Sequence, residues 1–219
     1  MRAEKLSWQK RKDQLKRDLC NIIIRIGALQ FGAFTLPSGR LTPYYIDLRL
    51  IPSFPDAFKK IMNMYVEMAK NDIGIKNFER VAGIPTAGIP FSSVLSYLLS
   101  KPFLYVRKEL KAIGRERRVE GMLNPGDHIL LTDDLISTGG NLTAATKALR
   151  SEGGLIKDAF VLIDREEGGE LALADIKVKL RSLVKISEAA RIMCDMETIT
   201  KEQLDSILKQ TKAFTRLKA

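Results

Sequence analysis

A strand that ends in two adjacent carboxylates, breaks into a loop of small residues and restarts as a helix constrains this chain more than any other stretch. The run is His128-Ile-Leu-Leu-Thr-Asp-Asp-Leu-Ile-Ser-Thr-Gly-Gly-Asn141. His128 to Asp133 is short and apolar, as a buried parallel strand is. Leu142, Ala145, Ala148 and Leu149 follow at helical spacing. The loop is as restricted chemically as it is geometrically. Gly139 and Gly140 let the backbone approach a phosphate, and the helix start supplies unpaired N–H donors and a partial positive charge. Ser137 and Thr138 add hydroxyl donors. Asp133 and Asp134 stand where carboxylates can accept hydrogen bonds from a sugar diol. A ribose 5-phosphate matches each of these groups. The loop lacks the Gly-Lys-Ser/Thr ending of a P-loop and the three spaced glycines of a dinucleotide fingerprint.

The same alternation runs along most of the chain. Strands are expected over 80–84, 103–106, 128–133, 159–164 and 176–184. Helices are expected after the Pro/Gly loop through Ser100 and over 141–151, the latter stopped by Gly153-Gly154. This pattern predicts an α/β fold with a mainly parallel central sheet and helices on both faces. Ligands of such sheets bind beyond the carboxyl ends of the strands. The motif loop, the loop near Pro85 and the residues after Asp164 all fall there. Upstream, Leu15, Leu19, Ile22, Ile23 and Ile26 predict a helix over 10–27, and Pro55-Asp56 opens a second one carrying Phe58, Ile61, Met62, Tyr65, Val66 and Ala69. Between them Phe31 to Leu50 is aromatic and rich in turn residues, suiting short strands. Two short amphipathic helices close the chain, the second opened by a capping box, Thr200-Lys-Glu-Gln203, with Ile199 and Leu204 as its hydrophobic staple. Packing or a dimer contact is the expected role of this tail.

Composition narrows the chemistry. With 219 residues and 45% apolar content, the chain reads as one domain over 1–219. Within it lie a hood near 28–52, a charged loop near 107–121 and a C-terminal helical segment near 186–219. No apolar run has the length of a membrane span and the start is no signal peptide, so a cytoplasmic location is expected. Cys20 and Cys194 have no metal-ligand spacing, and His128 is the single histidine, which disfavours a zinc site or a histidine base. The net charge of +10 suggests a polyanionic partner. Nucleic acid and membrane are not expected: interleaved aromatics and recognition motifs are missing. A phosphate-dense small substrate explains part of the charge.

Arg107 to Gly121 carries six basic and three acidic residues with few apolar anchors. It is either a solvated loop or a lid whose cations meet a pyrophosphate. The motif resembles the phosphoribosyl pyrophosphate (PRPP) motif of the type I phosphoribosyltransferases. The resemblance narrows to the orotate phosphoribosyltransferases through Phe34-Thr-Leu-Pro-Ser-Gly-Arg40, Tyr44-Tyr-Ile-Asp-Leu-Arg49, Gly83-Ile-Pro-Thr-Ala-Gly-Ile-Pro90, Val106-Arg-Lys-Glu-Leu-Lys111 and Asp164-Arg165.

That resemblance implies transfer of ribose 5-phosphate from PRPP to orotate, with Mg²⁺ as cofactor, giving orotidine 5′-monophosphate and pyrophosphate in pyrimidine biosynthesis. By position, Asp133 and Asp134 would hold the ribose hydroxyls. Thr86 and Ala87 would lie against the pyrophosphate, and Leu135, Ile136, Ser137, Thr138, Gly139, Gly140 and Asn141 would surround the 5-phosphate. Tyr44, Tyr45, Ser137 and Arg165 would face orotate. Arg107, Lys108 and Lys111 would stabilise the departing pyrophosphate, with Arg107 and Lys111 crossing into the partner's site of a homodimer. No side chain is expected to ligate the metal directly, Mg²⁺ being held mainly by PRPP and water. The chain departs from the family pattern at Pro37 and Ala87, where lysine is frequent, and at Ile113, where histidine is frequent. A transferase for another base and a non-catalytic PRPP-binding regulator are the rival readings.

Overall fold

The computed structural model describes residues 2–35, 39, 41–107 and 118–216, with side chains described from Leu6 to Phe214 within those segments. Helix α1 (Arg2–Arg25) is followed by an antiparallel hairpin, β1 (Leu29–Thr35) and β2 (Leu41–Ile46), whose register shifts between Phe31 and Phe34. A short 3-10 turn (Leu48–Ser53) leads into α2 (Pro55–Met68). The main sheet then begins with β3 (Arg80–Gly83), α3 (Gly88–Leu98), β4 (Phe103–Val106) and β5 (Val119–Glu120). It continues through β6 (His128–Thr132), β7 (Leu135–Ile136), α4 (Gly140–Ser151), β8 (Leu155–Asp164), α5 (Gly169–Asp175) and β9 (Lys179–Lys185). Helices α6 (Ile186–Asp195) and α7 (Lys201–Arg216) end the described chain.

Among the described residues, the seven strands of the main sheet lie in the order β5-β4-β3-β6-β8-β7, with β9 also paired to β8. The β4–β5 pair is antiparallel and the others are parallel. Side chains alternate between faces along a strand, so each strand feeds two cores. Val81, Leu130, Phe160 and Leu162 join the core made with α1, α2, α3, α6 and α7. Ala82, Ile129, Leu131 and Val161 join the core under α4 and α5. Burial on both faces explains why these strands read as unbroken apolar runs.

Several expectations shift. The strand expected over 176–184 is β9, starting at Lys179, and the seven residues of α5 precede it. A helix that short, entered through Gly168-Gly169, leaves little periodic signal. Strand β8 starts at Leu155, four residues before the expected 159; Lys157 and Asp158 lie in its partly exposed first half and interrupt the apolar run that marks the rest. The capping box forms as expected: Thr200 Oγ1 accepts the Gln203 N–H at 3.2 Å, and Gln203 Oε1 accepts the Thr200 N–H at 2.8 Å.

Candidate active site

The strand order reverses at β3. Chain leaving β3 goes to β4 on one side, while β6 lies on the other. A crevice opens at the carboxyl ends of strands that part in this way. On the β3 side, Ile84 to Ala87 form a turn with a cis peptide between Pro85 and Thr86. On the β6 side stand Asp133 and Asp134. Gly88 joins the two walls: a Cβ there would lie 2.6 Å from Asp133 Oδ1 and 3.0 Å from its Cα. Only glycine lets α3 start so close to the acidic pair.

The pair sits at an interruption between β6 and β7, yet its backbone stays bonded to β8. The Asp133 N–H donates to the Phe160 carbonyl and the Leu162 N–H to the Asp134 carbonyl, both at 2.9 Å. From the opposite face, the fully buried Tyr65 hydroxyl of α2 donates to the Asp133 carbonyl at 2.7 Å. Asp133 Oδ1 accepts the Asp134 N–H at 3.0 Å, and Asp134 Oδ1 accepts the Leu135 N–H at 2.8 Å. Both side chains are buried. Burial pushes the Asp134 carboxyl above the ordinary carboxylate range, opposed by the Leu135 N–H, by Asp133 and, more weakly, by the Arg49 charge.

Beyond β7 the loop reaches Gly139, whose φ of +84° suits glycine and whose Cβ position is crowded by the Gly169 backbone at 3.1 Å. Helix α4 then points its N-terminus, with its unpaired N–H groups, into the crevice. The resulting cleft of about 350 Å³ is lined by Arg49, by Pro85 to Ala87 and by the continuous run Asp133 to Leu142. Thr86, Ala87, Asp133, Asp134, Leu135, Ile136, Ser137, Thr138, Gly139, Gly140 and Asn141 therefore come together in one place. Arg49 joins them without having been singled out by sequence. Its signal was the Asp47-x-Arg49 spacing, which lets the carboxylate grip the guanidinium two residues on.

The residues expected to face a base are arranged differently. Tyr44 and Tyr45 are neighbours on a strand and point to opposite faces. Tyr44 is fully buried in the larger core, while Tyr45 lies on the other face of the strand. Burial raises the Tyr44 phenol to about 12 against the opposing pull of the Arg165 guanidinium beside it, and its hydroxyl makes no well-aligned hydrogen bond. The Arg165 guanidinium lies 5.1 Å from the centre of the Tyr44 ring, with Nη2 2.8 Å from Glu167 Oε1. That contact lacks hydrogen-bond alignment, and the buried Nε of Arg165 also has no partner. Tyr45 is half-buried and packs 5.6 Å from Phe34. None of these three lines the cleft.

Arg107 stands at the root of the charged loop, where its N–H donates to the Arg118 carbonyl at 2.8 Å and its Nη1 to Glu120 at 3.2 Å. It does not line the cleft. Lys108, Lys111, Ile113 and Pro37 lie outside the described residues.

An acidic pair and a small-residue loop at the switch point of a parallel sheet have the chemistry to receive a sugar phosphate, and the class of the protein agrees. Residues 53–189 match the family model of the phosphoribosyl transferase domain. The chain is 39% identical over 165 residues to the orotate phosphoribosyltransferase of Cenarchaeum symbiosum, covering 75% of this chain and 82% of the relative. With that of Sulfurisphaera tokodaii it shares 35% over 190 residues, or 87% and 95% of the two chains. The crystal structure of orotate phosphoribosyltransferase from Aeropyrum pernix superposes with a TM-score of 0.70 at 30% identity, over 82% of this chain and 99% of that one. UMP synthase from Leishmania donovani gives a TM-score of 0.80 at 28% identity over 90% of this chain, which spans only 42% of that larger protein. The chain belongs to the orotate phosphoribosyltransferase family.

Proposed function

We propose that the chain transfers ribose 5-phosphate from PRPP to N1 of orotate, releasing pyrophosphate, as a step of pyrimidine nucleotide synthesis. The observation that carries this reading is the single cleft formed by the Pro85–Ala87 turn and the Asp133–Leu142 run. In this proposal Asp133 and Asp134 hold the ribose hydroxyls, their carboxylates fixed by the backbone N–H groups of Asp134 and Leu135 respectively. Ser137 to Asn141 and the start of α4 receive the 5-phosphate. Loss of pyrophosphate leaves an electron-poor ribose, and the acidic pair favours that positive character, the kind of preorganised electrostatic effect that dominates many enzymes. Orotate arrives as an anion, so no strong base is required.

Arg165, Tyr45 and Ser137 are proposed for the base, and Arg107, Lys108 and Lys111 for the departing pyrophosphate, the lid cations acting across a homodimer. The buried, partnerless Nε of Arg165 supports the first assignment, because such a donor costs stability until an acceptor reaches it. Mg²⁺ would neutralise charge on the diphosphate when bound. It binds hard oxygen ligands and keeps several waters, which fits a cleft edged by two carboxylates, and no group of three ligating side chains is found among the described residues. The test is loss of orotate absorbance on adding protein, PRPP and Mg²⁺, with uracil, hypoxanthine and adenine in parallel. Turnover of a base other than orotate would overturn the base assignment, and no turnover would favour the regulator reading.

A further inference from the structure

The turn that faces the acidic pair presents Ala87, an uncharged residue, toward the cleft. Among the described residues lining that cleft, Arg49 is the one cationic side chain. It comes from the 3-10 turn that closes the hood, not from the motif, the Pro85 turn or the charged loop. Its placement is built with care. Asp47 caps the turn by accepting the Arg49 N–H at 3.1 Å. The same carboxylate grips the guanidinium through Nε at 2.6 Å and Nη2 at 2.8 Å, and Nη2 also donates to the Tyr45 hydroxyl at 2.9 Å. A two-point grip of this kind fixes the plane of the guanidinium, so little freedom is left to lose on binding. Nη1 has no partner among the described residues, which leaves its two donors to a ligand.

We propose that Arg49 binds the diphosphate of PRPP, supplying from the hood the positive charge that Ala87 does not supply from the opposite turn. The inference rests on PRPP as the ligand of this cleft. The alternative anion, the carboxylate of the base, is disfavoured by the company Arg49 keeps. It shares its cleft with the acidic pair, the Pro85 turn and the phosphate loop; of the residues proposed for the base, Ser137 alone lines that cleft, and Tyr45, though its hydroxyl accepts from Arg49, and Arg165 do not. Asp47 also plays a part here: it holds the fork in place and balances its charge before substrate arrives.

Calorimetric titration of PRPP with Mg²⁺ into the full chain, without orotate, tests the proposal in the parent, Arg49→Ala, Ala87→Lys and the double variant. Arg49→Ala is expected to weaken PRPP binding by roughly tenfold or more, the usual scale for a lost hydrogen bond to a charged group. The KM for orotate at saturating PRPP should stay within roughly twofold of the parent. Adding Ala87→Lys to Arg49→Ala should recover most of the lost affinity, which a structural role for Arg49 would not allow. Arg49→Met, which keeps the aliphatic stem, is the second variant should the alanine chain fold poorly. Unchanged PRPP affinity in these variants, or a loss confined to the KM for orotate, overturns the inference. A parent protein that binds no PRPP would overturn the ligand reading itself, a separate and recognisable failure.

Discussion

Replacing Tyr65 by Phe deletes one oxygen and leaves the shape of a fully buried side chain intact. The ring still packs against Phe91, at 5.9 Å between centres, so no cavity opens. What disappears is the donor to the Asp133 carbonyl. That carbonyl sits behind the acidic pair, where water has no room to replace the hydroxyl. A buried acceptor left without its partner costs about 1–3 kcal/mol. Removing the hydroxyl also removes its own desolvation cost, so the lower half of that range is expected, about 1–2 kcal/mol. For a chain of this length each kcal/mol moves the melting temperature by about 2–4 °C, giving a fall of about 2–8 °C. The loss should reach function too. With the Asp133 carbonyl no longer held by α2, the KM for PRPP should rise while that for orotate changes little. Urea and thermal unfolding measure the first effect, and steady-state kinetics the second. Tyr65→Leu serves as a contrast, because it adds a cavity and should cost more stability. A Phe variant as stable as the parent, with an unchanged KM for PRPP, would refute the view that α2 supports the acidic pair through this hydroxyl.

Asp134→Asn should abolish transfer yet raise stability at neutral pH, since Asn keeps an oxygen for the Leu135 N–H and removes a charge that burial disfavours. Burial raises the folded carboxyl above its ordinary 3.8, so the folded chain holds its proton over a pH range in which the unfolded chain has released it. The native Asp134 therefore weighs against folding at neutral pH, and the variant's advantage should fade as pH falls through the raised value toward 3.8. Melting curves across that window would contradict this if the variant were the less stable at neutral pH. Gly88→Ala forces a methyl against Asp133 and should cost about 1–3 kcal/mol together with PRPP affinity; an alanine chain with parental stability would show that α3 can retreat freely. Thr200→Ala removes the cap of α7 and should cost about 1 kcal/mol without changing the KM for either substrate, a result checked by urea unfolding beside the same kinetic assay.

How far the sequence was legible depended on the range of the forces involved. The acidic pair, the glycine loop and the start of α4 are consecutive, so local chemistry alone brought them together. The alternation that made a parallel sheet was equally plain, because strands buried on both faces must be apolar throughout. Residues whose role depends on a distant neighbour were hidden. Tyr65 reads as an ordinary core aromatic until Asp133 is placed beside it, and Gly88 as a loop glycine until its missing Cβ is tested against the same residue. Tyr44 and Tyr45 are adjacent letters, and only the strand's alternation shows that they face opposite sides of the hairpin. Helix α5 and strand β7 were too short for periodicity to register. Arg49 was visible as a letter, but only its ion pair with Asp47 gives it a direction.

The bonding of β7 to β8 bears on any attempt to redesign this protein. Leu135 pairs with Ile163 and Ile136 with Asp164, so the residues that open the phosphate loop and those that lead to Arg165 are set in register by two ladder pairs. If the loop and Arg165 act as proposed above, sugar recognition and base recognition are therefore not separable modules that can be exchanged like cassettes. A new base preference grafted onto the chain after Asp164 would need to keep the alignment of these four residues, since a slip of one position would turn the graft to the other face of the sheet and carry the phosphate loop with it.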